Sequence, residues 1–190
     1  MLTPEFLKSK FEAGLSYREY LETGKAEHRA NWDAFFERVA LTGPQRELIG
    51  GFTRTMPVLV SSGIWCGDCV QQLPMLEHIE RANPRAIQIR YLDRDEHADL
   101  AQRVMVCGGL RVPMVILMNE DFDLCALCGD RTLARYRAMA NKRLGPSCPL
   151  PGAPVPEDEI AATLADWVAS FERVHLMLRL STKLRARHAD

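Results

Sequence analysis

Two cysteines three positions apart, in Trp65-Cys66-Gly67-Asp68-Cys69, are the residues of this 190-residue chain best placed to do chemistry. A Cys-x-x-Cys is either a dithiol that closes into a disulfide or half of a metal site, and its surroundings separate the two. Here it follows a run of β-type residues, Pro57 to Val60, and a small-residue turn, Ser61-Ser62-Gly63, and it precedes an expected helix from about Val70 to Arg81. At such a strand-to-helix junction the spacing sets the sulfurs about one helical turn apart, within disulfide reach. The first cysteine also meets unpaired backbone N–H groups and the positive end of the helix dipole, which stabilise a thiolate. Cys66 is therefore the expected nucleophile and Cys69 the sheltered resolving thiol. The competing reading is a pair of buried thiols or a metal half-site.

A second signal lies at Arg111-Val112-Pro113, directly before the β-type run Val115 to Met118. A proline at that entry is not an ordinary interior strand residue, and a cis Val112–Pro113 bond accounts for it.

The elements that must hold these residues follow from the rest of the pattern. Residues 1–51 read as an N-terminal helical extension. Thr3-Pro4 offers an N-cap with proline at the first helical position, and Ser16 to Glu19 has the form of a capping box. Trp32, Phe35, Phe36 and Val39 share one apolar face between Asn31 and Leu41, and Gln45 to Phe52 forms a further short helix. From residue 52 to 145, β-type runs at Pro57–Val60, Ala86–Leu92 and Val115–Met118 alternate with helical stretches, which is an α/β core. Asn119 to Asp121 turns into a hairpin partner, Phe122 to Leu127, so the sheet is mixed. Asp130 is the expected cap of a helix running to about Lys142. Five prolines between 146 and 156 mark a stiff connector. Residues 157–190 form a C-terminal helix whose stripe of Ile160, Leu164, Trp167, Val168, Phe171, Val174 and Leu178 should pack on the core or on a second copy.

Trp-Cys-Gly-x-Cys, Pro74 five residues into the following helix, and Val-Pro ahead of a strand and hairpin together resemble the thioredoxin superfamily, over roughly Phe52 to Asn141. The form is that of a cytosolic bacterial thioredoxin-like protein with helical extensions at both ends. The resemblance implies a three-layer α/β/α sandwich around a mixed sheet and a protein disulfide reductase. It also implies a cis Pro113 beside the dithiol, and substrate contacts from Trp65, Val112 and Pro113. The implied partners are a protein or small-molecule disulfide and a separate electron donor, such as a thioredoxin reductase or a low-molecular-weight thiol. No cofactor or metal is expected beyond the Cys66–Cys69 disulfide. The rival class is a scaffold module holding a metal or an iron–sulfur cluster without redox turnover.

Two positions depart from the family. Asp68 stands where thioredoxins have proline, and a carboxylate there is expected to compete for the helix N-terminal donors and disfavour the Cys66 thiolate. Val60, six residues before Cys66, stands where they have a buried aspartate that assists proton transfer to the resolving cysteine.

The remaining thiols read as bystanders. Cys125 and Cys128 sit on an expected strand, where three-residue spacing sends them to opposite faces as packing thiols. Cys107 reads as partly buried and Cys148 as exposed in the connector. Asp93, Asp95 and Glu96 read as a solvated loop start, and Lys183 to His188 as a fraying basic end.

With 24 Lys+Arg against 25 Asp+Glu, the net charge of −1 gives no pull toward nucleic acid or anionic membrane. The charged first residues and the shortness of the longest apolar run, Val112 to Met118, argue against a signal peptide or a membrane span and leave the cytoplasm as the expected compartment.

Overall fold

A computed structural model describes residues 1–144 and 157–188. The proline-rich connector and Cys148 lie outside the described residues. Four helices come first: α1 (Pro4–Ala13), α2 (Tyr17–Glu22), α3 (Ala26–Phe36) and α4 (Gly43–Gly50). The α/β part follows as β1 (Met56–Ser62), α5 (Gly67–Ala82), β2 (Ile87–Asp93), α6 (Ala98–Ala101), β3 (Met114–Met118), β4 (Leu124–Cys128) and α7 (Leu133–Leu144). Two helices close the chain, α8 (Glu159–Leu180) and α9 (Thr182–His188).

The strands form one mixed sheet in the order β2-β1-β3-β4. β1 runs parallel to β2 and antiparallel to β3, and β3 pairs antiparallel with β4. Both faces are covered, so the strands read as nearly continuous apolar runs rather than alternating ones. On one face Val58, Val60, Ile89, Tyr91, Val115 and Leu117 pack with residues of α2, α3, α5 and α8. On the other, Leu59, Leu92, Ile116 and Met118 meet Leu7 of α1 and Leu100 of α6. The result is a three-layer α/β/α sandwich with the N-terminal helices built into both outer layers.

The antiparallel register of β1 on β3 positions the site. Ser61 is paired with Met114, so the end of β1 that leads into Cys66 lies beside the start of β3, next to Pro113. The C-terminal stripe docks on the chain's own core: Leu164, Trp167, Phe171, Val174 and Leu178 are almost fully buried in the same cluster as α5.

Four sequence expectations change. Phe122 is not in a strand but in the β3–β4 turn, at φ 62°, and β4 starts at Leu124. Cys125 and Cys128 do not point to opposite faces. A register shift after Leu117, which pairs Met118 with Leu124 and leaves Cys125 unpaired, breaks the alternation, and both thiols pack on the α8-side core. Asp130 does not cap α7. Thr132 Oγ1 takes the Arg135 N–H there, at 3.4 Å, while Asp130 is buried among arginines. The basic end does not fray through residue 188. It forms α9, with Leu184 buried and with Lys183 and Arg187 paired to Asp123 and Asp121 of the β3–β4 turn.

Candidate active site

Cys66 is the N-cap residue of α5, with extended backbone (φ −82°, ψ 122°), so its sulfur faces the unpaired N–H groups of the first turn. Its sulfur lies 3.7 Å from the carbonyl oxygen of Val112, and the Val112–Pro113 bond is cis. Cys66 is half-buried, whereas Cys69, one turn into the helix, is fully buried. Hydrogen bonding from the Cys69 thiol, aided by the backbone N–H groups of Cys69 and Asp68, outweighs desolvation and holds Cys66 down at about 6. Burial, reinforced by the neighbouring Cys66, pushes Cys69 well above the ordinary thiol range. The two thiols thus differ in the sense a two-step exchange needs: one ionised and reachable, one protonated and protected.

Trp65 flanks Cys66 and is 52% exposed. Its indole lies against Gly63, where a Cβ would approach to 2.9 Å, so the turn requires glycine. Arg94 stacks over the same ring at 5.0 Å and donates to the Leu110 carbonyl at 3.2 Å, tying the indole to the loop before Pro113. Trp65 and Cys66 therefore reach the surface beside the buried Val112 and Pro113, with Cys69 fully buried.

The thioredoxin family model matches residues 14–141. The chain belongs to the thioredoxin family. The matched region includes α2 to α4. No curated protein sequence matches the chain. Among solved structures, a protein of unknown function from Pseudomonas aeruginosa, PA1234, is similar at 22% identity and a TM-score of 0.66, over 90% of this chain and 99% of that one. An HIV epitope-scaffold is similar at 22% identity and a TM-score of 0.62, over 88% of this chain and 92% of that one. These likenesses concern the fold.

Against the thioredoxin pattern, Asp68 behaves differently from the sequence expectation. Its carboxylate does not turn to the helix N-terminus: one oxygen is held by Arg131 and the other by Arg135 at 3.0 Å. Arg135 also pairs with Glu159 of α8, and Arg131 with Asp130 at 2.8 Å. Gln72, buried in α5, joins the same loop, donating to the Asp130 carbonyl at 2.9 Å and accepting from Thr132 N–H at 3.3 Å. Spread over two guanidinium groups, the Asp68 charge still opposes the Cys66 thiolate, but more weakly than the donors favour it. The second departure stands: Val60 is fully buried and apolar.

The other candidates have structural places. Cys125 is pushed up to about 11 by burial, Cys128 is raised from the same cause, and both pack against the core. Cys107 is exposed rather than partly buried, at φ 50° in the tight turn closed by Val106 and Gly109. Asp93 caps its own loop, accepting from the N–H groups of Asp95 and Glu96. Among the described residues no cluster of three or more His, Cys, Asp or Glu side chains could hold a metal ion, and no helix is long and apolar enough to cross a membrane.

Sequence reasoning missed Arg131, Arg135 and Gln72. The four-residue spacing of the two arginines just after Asp130 was the available signal, but what they clamp is 63 and 67 positions away, at Asp68.

Proposed function

We propose that this thioredoxin-family chain is a thiol–disulfide oxidoreductase acting as a protein disulfide reductase, with Cys66 as nucleophile and Cys69 as resolving cysteine. The observation that carries the reading is the asymmetry of the pair: Cys66 half-exposed and lowered to about 6, Cys69 buried and raised, at the start of α5 beside cis Pro113. The Cys66 thiolate attacks a substrate disulfide and forms a mixed disulfide, releasing one substrate thiol. Cys69 then attacks Cys66, closing the Cys66–Cys69 bond and releasing the second thiol. Trp65, Val112 and Pro113 form the surface that receives the substrate. The disulfide is its own redox group, with no added cofactor or metal. A thioredoxin reductase or a low-molecular-weight thiol returns the pair to the dithiol, and the cytoplasm is the compartment that suits this cycle.

The test is disulfide reduction coupled to dithiothreitol. Cys66→Ser abolishes turnover, and Cys69→Ser leaves a mixed disulfide trapped on Cys66, seen as an added mass. Full activity in Cys66→Ser overturns the reading. A titration in glutathione buffers, with alkylation and mass mapping, places the pair at roughly −200 to −270 mV if it is a reductant of this kind.

A further inference from the structure

The turn that carries Cys66 has its backbone fixed independently of its tryptophan. The Trp32 indole N–H of α3 donates to the Ile64 carbonyl at 3.0 Å, and the Cys66 N–H donates to the Gly63 carbonyl at 2.9 Å. Neither bond sets the side chain of Trp65, and an exposed indole keeps its torsional freedom unless neighbours hold the ring. Opposite the turn runs the segment that leads to Pro113. Its Val112 carbonyl oxygen lies 3.7 Å from the Cys66 sulfur, so these two stretches of chain are the walls between which a substrate must reach Cys66.

One side chain touches both walls. Arg94 follows β2, and its own N–H donates to the carbonyl of Ser62, the last residue of β1, at 2.8 Å. Its guanidinium is oriented by a two-pronged pairing with Asp95, Nε to Oδ1 at 2.9 Å and Nη2 to Oδ2 at 3.1 Å. That pairing leaves Nη1 free to donate to the Leu110 carbonyl at 3.2 Å, while the central carbon of the group lies 5.0 Å from the centre of the Trp65 ring. Asp95 is 62% exposed, and an ion pair so open to water adds little to stability. What the pair does supply is a fixed plane, which a planar fork can use for three contacts at once and a lysine ammonium cannot.

We propose that Arg94 is a positioning residue of the dithiol site, whose guanidinium holds the Trp65 indole and the Leu110 backbone in fixed relation so that both walls are formed before substrate arrives. The proposal rests on the thiol–disulfide reading above. Arg94 acts through Trp65 and Leu110 and takes no part in the exchange itself. A wall that must be ordered on binding costs affinity, and one already ordered does not. The effect therefore falls on a disulfide carried by a polypeptide, which is large enough to meet both walls, and much less on a small disulfide that meets Cys66 alone.

The test compares insulin, reduced under dithiothreitol coupling, with 5,5′-dithiobis(2-nitrobenzoate) mixed with pre-reduced protein. Arg94→Ala raises KM for insulin about five- to tenfold, the loss expected of one stacking and one charged hydrogen-bond contact. Its kcat falls less, the pattern of a lost binding surface rather than of lost chemistry, and its rate with the small disulfide falls less than its kcat/KM with insulin. Arg94→Lys keeps the stem and the charge and stays well short of the parent. The double variant with Trp65→Ala is no worse than the more affected single one, as residues acting through one contact are. A second readout needs no thiol chemistry. Trp65 is the exposed one of three tryptophans, Trp32 and Trp167 being buried, so acrylamide quenching reports it and rises in Arg94→Ala. The backbone bonds of the loop to Ser62 and Asp93 do not involve the Arg94 side chain, and the unfolding midpoint of Arg94→Ala stays close to that of the parent. Unchanged KM or quenching in Arg94→Ala, full rescue by Arg94→Lys, or equal losses with the two disulfides overturns the proposal while the dithiol reading stands. A parent that reduces neither disulfide removes both.

Discussion

The pH at which Cys66 becomes reactive is the most direct reading of how the site is built. With its pKa lowered to about 6 from 9.0, Cys66 is about 90% ionised at pH 7, against about 1% for an unperturbed thiol, a gain of about 90-fold in thiolate. Nucleophilicity falls with basicity along a Brønsted slope near 0.4–0.5, so three pH units cost about 16- to 32-fold in intrinsic rate. The net advantage at pH 7 is only about three- to six-fold, and an absolute rate is a poor readout. The midpoint of the pH–rate curve is a good one. Three hydrogen-bonding groups lower Cys66, the Cys69 thiol being the largest, while desolvation and Asp68 oppose them. A net fall of three units against opposition means that the largest of three contributions exceeds about one unit. Alkylation of Cys66 by iodoacetamide, followed by mass spectrometry between pH 4 and 10, therefore has a midpoint near 6 in the parent. In Cys69→Ala the midpoint rises by more than about one unit. A parent midpoint near 9, or one that Cys69→Ala leaves in place, refutes the assignment of the low-pKa thiol and of its cause.

Other consequences follow from the same contacts. Asp68→Asn leaves Arg131 and Arg135 facing each other without their shared carboxylate. Chemical denaturation should show a loss of about 1–3 kcal/mol, while the Cys66 alkylation midpoint moves lower because an opposing charge is gone. Glu80 accepts from Ile89 N–H at 2.9 Å, and burial raises its pKa to about 7. Its protonated form is favoured by folding, so its contribution is fully present below pH 4.5 and is lost as pH rises through 7. Relative to the parent, Glu80→Gln should flatten that decline when denaturation midpoints at pH 5 and pH 8 are compared. Phe171 of α8 is fully buried against the α5-side core, and Phe171→Ala should cost about 3–5 kcal/mol at any protein concentration. A loss that disappears on dilution would instead place this helix in an interface between copies.

What could be read in the sequence was what is written locally. The dithiol, the proline at the entry to β3, the capping residues Thr3 and Ser16 and the apolar stripe of α8 each declare themselves within a few residues, through propensity, capping chemistry or periodicity. Cys125 and Cys128 were misread because a bulge adds one residue to a strand and leaves no mark on the pattern of types. Asp68 was read only in part, for a different reason: its charge does oppose the Cys66 thiolate, but its carboxylate is engaged elsewhere. Its neighbours in sequence are the thiols, and judged against them alone a carboxylate there is harmful. Its neighbours in space are Arg131 and Arg135, which convert the same carboxylate into a clamp between the dithiol helix and α7, with Glu159 extending it to α8. Proline at that position stiffens the first turn of a dithiol helix through its ring and can pair with nothing. Aspartate gives up that rigidity and fastens the turn through charge, which makes the hold sensitive to salt and to any movement of α7 or α8.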